Sequence, residues 1–175
     1  YTYFFTNNGS IFGERKDTGA VEKVVDWIAC DIDSNTINNG NFGVLSDGRI
    51  VAVTYEDSAD GPSRQVLVVL NRVDAASIQK KTELTLACFG LDYNLRSQIV
   101  KFNRSSADYR IVVKDYSEYA TDDDYNAGLT KLNTEIISGS VPDLIANSMQ
   151  LPIRQYAAKG LLEDLWPYID ADPEY

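Results

Sequence analysis

Residues 82–103, TELTLACFGLDYNLRSQIVKFN, decide the fold class of the second half of the chain. The apolar run at 84–89 is typical of a buried strand, and Gly90 ends it. Apolar residues then recur at helical spacing, at Leu91, Leu95, Ile99 and Phe102. This stretch therefore predicts a strand that passes through a glycine-containing turn into a helix.

The same alternation continues downstream. YRIVVKDY (109–116) predicts a second strand, DDYNAGLTKLNTEIISG (123–139) a second helix, and PDLIAN (142–147) a third, short strand. Thr121 followed by Asp124 resembles a capping box, and Gly139 suits the position just past the helix end. Pro152 and Gly160 predict the start and the end of a further helix. Strands alternating with helices imply a parallel sheet with right-handed crossovers.

The first 80 residues have a strand-like pattern without a helix of useful length. YTYFF (1–5), AVEKVVDWIA (20–29) and RQVLVVLNRV (64–73) are rich in aromatic and β-branched residues. GVLSDGRIVAVTYE (43–56) contains two such runs joined through Ser46, Asp47 and Gly48, which predicts a hairpin. The Asn and Gly clusters at 7–9 and 38–43 predict loops. Trp27 and Trp166 lie in apolar patterns and are expected in the core.

Composition excludes several classes of function. The chain has 175 residues and a formal charge of −10, which disfavours nucleic acid as a partner. It has no histidine, so Ser-His-Asp triads, Cys-His pairs and the usual zinc sites are excluded. Cys30 and Cys88 are too few for a disulfide framework, and Cys88 is expected to be a small buried hydrophobic residue. We expect no cofactor.

The sequence contains neither a membrane-length apolar run nor a signal peptide. It begins at Tyr1 rather than Met, which is consistent with the removal of a signal.

Acidic motifs do not predict a metal site. Asp122, Asp123 and Asp124 are explained by capping and by the helix macrodipole. Asp31, Asp33 and Asn35 match the opening of an EF-hand loop, but Thr36 and Phe42 stand where that loop needs glycine and a bidentate acid.

Three segments together resemble the amino-terminal lobe of the family 1 extracellular solute-binding proteins of bacterial ABC importers. They are residues 82–103, residues 109–146 (YRIVVKDYSEYATDDDYNAGLTKLNTEIISGSVPDLIA) and residues 155–170 (QYAAKGLLEDLWPYID). The resemblance implies an α/β lobe of the periplasmic-binding-protein type II kind, with a parallel sheet core, over residues 81–175. The pattern of residues 1–80 resembles an antiparallel, β-propeller-blade-like segment ahead of this lobe.

The resemblance also implies a function. Such proteins capture a small solute, often a sugar or oligosaccharide, and deliver it to the permease of an ABC importer. They are extracellular and lipid-anchored to the bacterial membrane. Complete members have a second lobe that closes over the solute, and this chain stops before one. We therefore expect an incomplete cleft that binds solute weakly or not at all by itself.

Candidate ligand-binding residues follow the three predicted strands, because ligands of open α/β sheets bind beyond the carboxyl ends of the strands. Each set has a purely structural alternative: a tight turn at the first strand, half-buried tyrosines at the second and ordinary loop formers at the third. The candidates are Phe89, Gly90 and Leu91 after the first strand, Tyr116, Glu118 and Tyr119 after the second, and Asn147 and Ser148 after the third.

Two other functions compete with solute capture. An acidic β-rich region could present the paired carboxylates of a glycan-active enzyme, although no acid pair lies in an apolar setting that would raise one pKa. The β-rich segment could instead be an interaction module that docks a partner. We expect a non-catalytic protein, and the sequence leaves the identity of the solute and the oligomeric state open.

Overall fold

The computed structural model describes residues 1–58 and 61–173, without the side chains at 38–40, 57, 58 and 75. The chain forms two compact units. The first contains Tyr1–Leu84 and Leu91–Val112, and the second contains Thr85–Gly90 and Val113–Tyr175. The domain boundary expected at residues 80 and 81 stays a prediction.

The first unit contains two three-stranded antiparallel sheets. The first sheet has the order β1-β2-β3, with strands Phe4–Asn7, Ser10–Glu14 and Val21–Asp26. The second has the order β4-β5-β6, with strands Ile37–Val44, Ile50–Ser58 and Gly61–Leu70. The predicted hairpin at 43–56 is confirmed, because β4 and β5 pair directly and Gly48 takes the positive φ of 84° that the turn requires.

A loop was predicted at residues 38–43, and this prediction is wrong. These residues belong to β4, whose pairing with β5 is interrupted between Ile37 and Phe42. Ile37 lies opposite Thr54 and Phe42 opposite Ala52, so five steps along β4 match two along β5. Hydrogen bonding to a neighbouring strand holds the Asn- and Gly-rich segment in a bulged strand that its composition disfavours.

The core of the first unit is one cluster to which both sheets contribute. Buried residues of the segment between the sheets complete this cluster. Its members are Ile11, Trp27, Ile32, Ile37, Ile50 and Ala52. Trp27 is therefore a core residue, as predicted.

Helix α1 (Tyr93–Ser105) belongs to the first unit and begins at Asp92. The Asp92 carboxylate accepts hydrogen bonds from the backbone N–H groups of Asn94 and Leu95 at 2.9 and 3.2 Å. Within the same unit, Ser97 on α1 donates to the Asp33 carboxylate. Side-chain hydrogen bonds thus fix the helix at its start and to the β-rich segment.

The third sheet has the order β8-β7-β9 and is small and parallel. Its strands are Tyr109–Asp115, Thr82–Cys88 and Leu144–Ile145. Leu86 lies opposite Leu144 and Ala87 opposite Ile145. The predicted strand–helix–strand–helix–strand order is confirmed, and the fold class holds in its coarse form: antiparallel sheets together with a small parallel sheet and helices.

Three helices complete the second unit: α2 (Ala127–Ile137), α3 (Ile153–Ala158) and α4 (Trp166–Ile169). Its core cluster contains Ala87, Tyr116, Leu132, Leu151 and Tyr156. Gly139 and Gly160 follow α2 and α3 with positive φ, as the helix-end predictions require. The expected core position of Trp166 is wrong, because this side chain is 67% exposed.

The capping box predicted at Thr121 does not start α2. Thr121 Oγ1 accepts from the backbone N–H of Asp124 at 3.0 Å, but the helix begins only at Ala127. Asp124 in turn accepts from the N–H of Asn126 at 2.9 Å. The Thr-Asp pair therefore stabilises a turn that precedes the helix.

Candidate ligand-binding site at the carboxyl edge of the parallel sheet

The ends of β7 and β9 bring two of the predicted sets to one edge of the sheet. The strands run in the same direction, and the N–H of Ala146 donates to the carbonyl of Ala87 at 2.9 Å. Phe89 therefore follows β7 on the same edge at which Asn147 and Ser148 follow β9. This arrangement is the one that the strand order predicts.

Asp115, the last residue of β8, organises this edge. Its Oδ1 accepts hydrogen bonds from the N–H of Gly90 and the N–H of Ser117, each at 2.9 Å, and from Ser117 Oγ at 2.7 Å. One carboxylate oxygen thus fixes both the turn after β7 and the 3-10 turn Tyr116–Tyr119 after β8. Asp115 is not among the predicted site residues, although an aspartate at a strand end two residues before a serine is a signal for such a turn.

Gly90 is required for its backbone conformation. Its φ is 81°, and a Cβ added there would meet nothing within 4 Å. Its N–H donates to Asp115 and is therefore not a free donor for a ligand. Leu91, the next residue, is half-buried and belongs to the first unit.

Three aromatic rings form a row across the edge. The ring centroids of Phe89 and Tyr116 lie 5.9 Å apart, and those of Tyr116 and Tyr119 lie 6.0 Å apart. Tyr116 is only 1% exposed and belongs to the core, whereas Tyr119 is 42% exposed. Tyr119 therefore presents the accessible aromatic surface, and Tyr116 supports it from below.

Glu135 of α2 anchors the middle of the row. It accepts a hydrogen bond from the Tyr116 hydroxyl and forms ion pairs with Lys114 at 2.7 Å and Lys131 at 3.2 Å. Lys114, Tyr116 and Lys131 together hold the pKa of Glu135 down at about 2, with Lys114 the largest influence. Burial, and then the hydrogen bond to Glu135, raises the pKa of Tyr116 to about 12. At neutral pH the site therefore contains an ionised glutamate and an uncharged tyrosine.

Lys131, which pairs with Glu135, also lies near the accessible ring of Tyr119. Its Nζ lies 6.0 Å from the centroid of Tyr119, at the outer limit for a cation–π contact. The structure thus restrains Tyr119 from two sides, through Tyr116 and through Lys131.

The remaining predicted residues frame the row. Glu118 lies in the 3-10 turn between Tyr116 and Tyr119 and is exposed. Asn147 is exposed after β9. Ser148 is half-buried, and its Oγ is buried with no hydrogen-bond partner among the residues that the structure describes. Because this oxygen is buried, a solute does not reach it in this structure.

Other classes of site find less support. Within residues 1–58 and 61–173, no group of three or more potential metal ligands converges. None of the helices in these same ranges is long and apolar enough to cross a membrane. Comparison of the chain with known protein families, curated proteins and solved structures gave no match.

Proposed function

We propose that the chain is part of an extracellular solute-binding protein that captures a small solute, a sugar or oligosaccharide, for an ABC importer. The finer fold assignment belongs to the same proposal: the parallel sheet is the core of a periplasmic-binding-protein type II lobe, and the antiparallel sheets form a propeller-like segment ahead of it. The full protein is proposed to be lipid-anchored on the outer face of a bacterial membrane and to contact the importer permease.

The observation that carries the proposal is the exposed ring of Tyr119 at the carboxyl edge of a parallel sheet. Sugars bind to proteins through an aromatic face together with a few polar groups that fix their orientation. Tyr119 supplies the face, while the exposed Asn147 supplies a polar group on the same sheet edge. Because Asp115 and Glu135 hold the turn and the ring row in place, the surface is organised before a solute arrives.

The carboxyl groups favour binding over catalysis. A glycosidase needs one acid whose pKa is raised so that it can donate a proton. The described carboxyl groups with a shifted pKa are Asp17, Asp47 and Glu135, and each is lowered by hydrogen bonds, ion pairs or both. This pattern supports a non-catalytic role.

The test is a titration of the isotopically labelled 175-residue chain with maltose and maltotriose, followed by NMR chemical shifts. The proposal predicts weak, millimolar binding by this one lobe, with shift changes confined to the backbone amides around Gly90, Ser117, Tyr119 and Ser148. Tyr119→Ala removes most of the effect, because the sugar loses its aromatic face. Tyr125→Ala is the matched control, since Tyr125 is 78% exposed and lies outside the ring row.

Four outcomes would count against the proposal. Shift changes spread over the first unit would place binding elsewhere, and an unchanged titration with Tyr119→Ala would remove the ring from the site. An absence of any change at millimolar sugar would reject the sugar as the solute class. Micromolar binding by these 175 residues would contradict the expectation that the cleft is incomplete.

A further inference from the structure

The first unit contains a cavity that solute capture does not use. It has a volume of about 720 Å³, within the range of roughly 300–1,000 Å³ that is usual for small-molecule sites. Residues of both antiparallel sheets form its apolar wall, among them Phe4, Val24 and Leu70. An apolar body of moderate size can therefore be shielded from water there.

Two arginines make the polar part of this cavity cationic. Arg49 and Arg72 both line it, together with Asp47. Arg49 is already paired with Asp47, its Nε lying 2.8 Å from Oδ2. Arg72 forms no ion pair with any carboxylate whose side chain the structure describes. Arg72 is exposed, so its guanidinium is accessible to a ligand in this cavity.

We infer that this cavity binds a small amphipathic carboxylate, with the carboxylate on Arg72 and the apolar body against the wall formed by both sheets. The planar fork of an arginine matches the two oxygens of a carboxylate, which permits two parallel hydrogen bonds. A carboxylate carries one negative charge, which the positive charge of Arg72 can balance. The inference concerns the first unit alone and does not depend on solute capture by the second.

Cys30 provides a reporter that is built into the cavity. It lines the cavity and is exposed, whereas Cys88 is 1% exposed in the other unit. A thiol reagent will therefore modify Cys30 first, and a bound molecule will protect it. Partial burial of its thiol, and then Asp26 and Asp31, raise the pKa of Cys30, so labelling needs a mildly alkaline buffer.

The experiment measures the rate at which iodoacetamide modifies Cys30 in the 175-residue chain, by mass spectrometry of the Cys30 peptide. The probes are decanoate, decanol and the decyltrimethylammonium cation, which share an apolar chain and differ in head-group charge. Decanoate is expected to slow the reaction about tenfold at saturation and to bind about tenfold more tightly than decanol. The cation is expected to bind most weakly.

Variants assign the preference to Arg72. Arg72→Gln is expected to lower the affinity for decanoate to that for decanol. Arg64→Gln is the matched control, because Arg64 is an exposed arginine of β6 that pairs with Glu56 at 2.9 Å and does not line the cavity. Arg72→Lys keeps the charge without the fork and is expected to give an intermediate affinity.

The inference is overturned if decanoate leaves the Cys30 rate unchanged, or if the cation protects as well as decanoate does. It is also overturned if Arg72→Gln keeps the preference for decanoate over decanol. Should Arg72→Gln fail to fold, as shown by its circular dichroism, Arg72→Met decides: a preference for decanoate over decanol equal to that of the wild type would remove Arg72 from the site.

Discussion

Replacing Gly128 by alanine tests how tightly the ring row is packed against α2. Gly128 is buried in the first turn of α2, and a Cβ built there would lie 2.1 Å from the backbone oxygen of Tyr116 and 3.2 Å from Cε1 of Phe89. Because the closest atom is backbone, no side-chain rotation relieves the clash. The helix and the turn after β8 must separate by roughly 1 Å.

The magnitude follows from two opposing effects. Overpacking of this kind costs about 1–3 kcal/mol or more, while the better helix propensity of alanine returns at most about 1 kcal/mol. We expect a net loss of about 2 kcal/mol in the free energy of local unfolding, which is about a thirtyfold loss of protection. Hydrogen exchange measured on peptides that cover residues 113–137 reports this quantity directly.

Gly139→Ala is the contrasting variant. Gly139 has a φ of 90°, and an added Cβ would meet nothing within 4 Å, so alanine costs only the backbone strain of about 1 kcal/mol. We expect a larger loss of hydrogen-exchange protection for Gly128→Ala than for Gly139→Ala. Unchanged or increased protection in Gly128→Ala would show that helix propensity outweighs the contact, and would refute it.

Three further perturbations test the packing and the ion pairs. The second unit should lose stability as the pH falls from about 4.5 through about 2, because the pKa of Glu135 is lowered in the folded state and protonation removes its ion pairs. Glu135→Gln should remove this part of the pH dependence of urea unfolding. An unaltered pH profile in this variant would contradict the prediction. Asn103→Ala should lower the free energy of local unfolding by about 2 kcal/mol, measured as faster hydrogen exchange at Ile111. The Asn103 side chain accepts from the N–H of Ile111 at 2.7 Å and donates to its carbonyl at 3.0 Å. Unchanged exchange at Ile111 would argue against this role. Leu132→Ala should destabilise the second unit by about 2–5 kcal/mol in thermal unfolding, because Leu132 is fully buried. A cost below about 1 kcal/mol would mean that the core closes around the space left by the removed side chain.

Local periodicity correctly predicted several strands, helices and turns. The apolar run before Gly90 became β7, the helical spacing after it became α1, and PDLIAN supplied β9. The positive φ values of Gly48, Gly139 and Gly160 fell where the turn and helix-end signals placed them. In each case, neighbouring residues contain the information that fixes the conformation.

Predictions failed where a distant partner overrode local preference. Residues 38–43 form a strand because β5 supplies hydrogen-bond partners. The Asn- and Gly-rich composition of the segment does not predict this pairing. The apolar pattern around Trp166 gave no hint that the ring would be exposed, since α4 has only four residues. Such outcomes depend on what each face packs against.

The sequence predicted the position of the candidate site at the sheet edge, but not the residues of α2 that contact and support it. Strand order alone placed Phe89, Asn147 and Ser148 on one edge of a parallel sheet. Gly128 and Glu135, by contrast, act on Tyr116 from α2, and nothing in the spacing of these residues shows that contact. The assignments of ligand contacts to Leu91, Glu118 and the other candidates stay predictions.

The most direct test of the central claim is the measurement of intermolecular nuclear Overhauser effects between a bound maltose and the protein. We expect contacts from the sugar ring protons to the ring of Tyr119 and to the amide of Asn147. Contacts only to residues of the first unit, or none at millimolar sugar, would show that the carboxyl edge of the parallel sheet is not the sugar-binding surface.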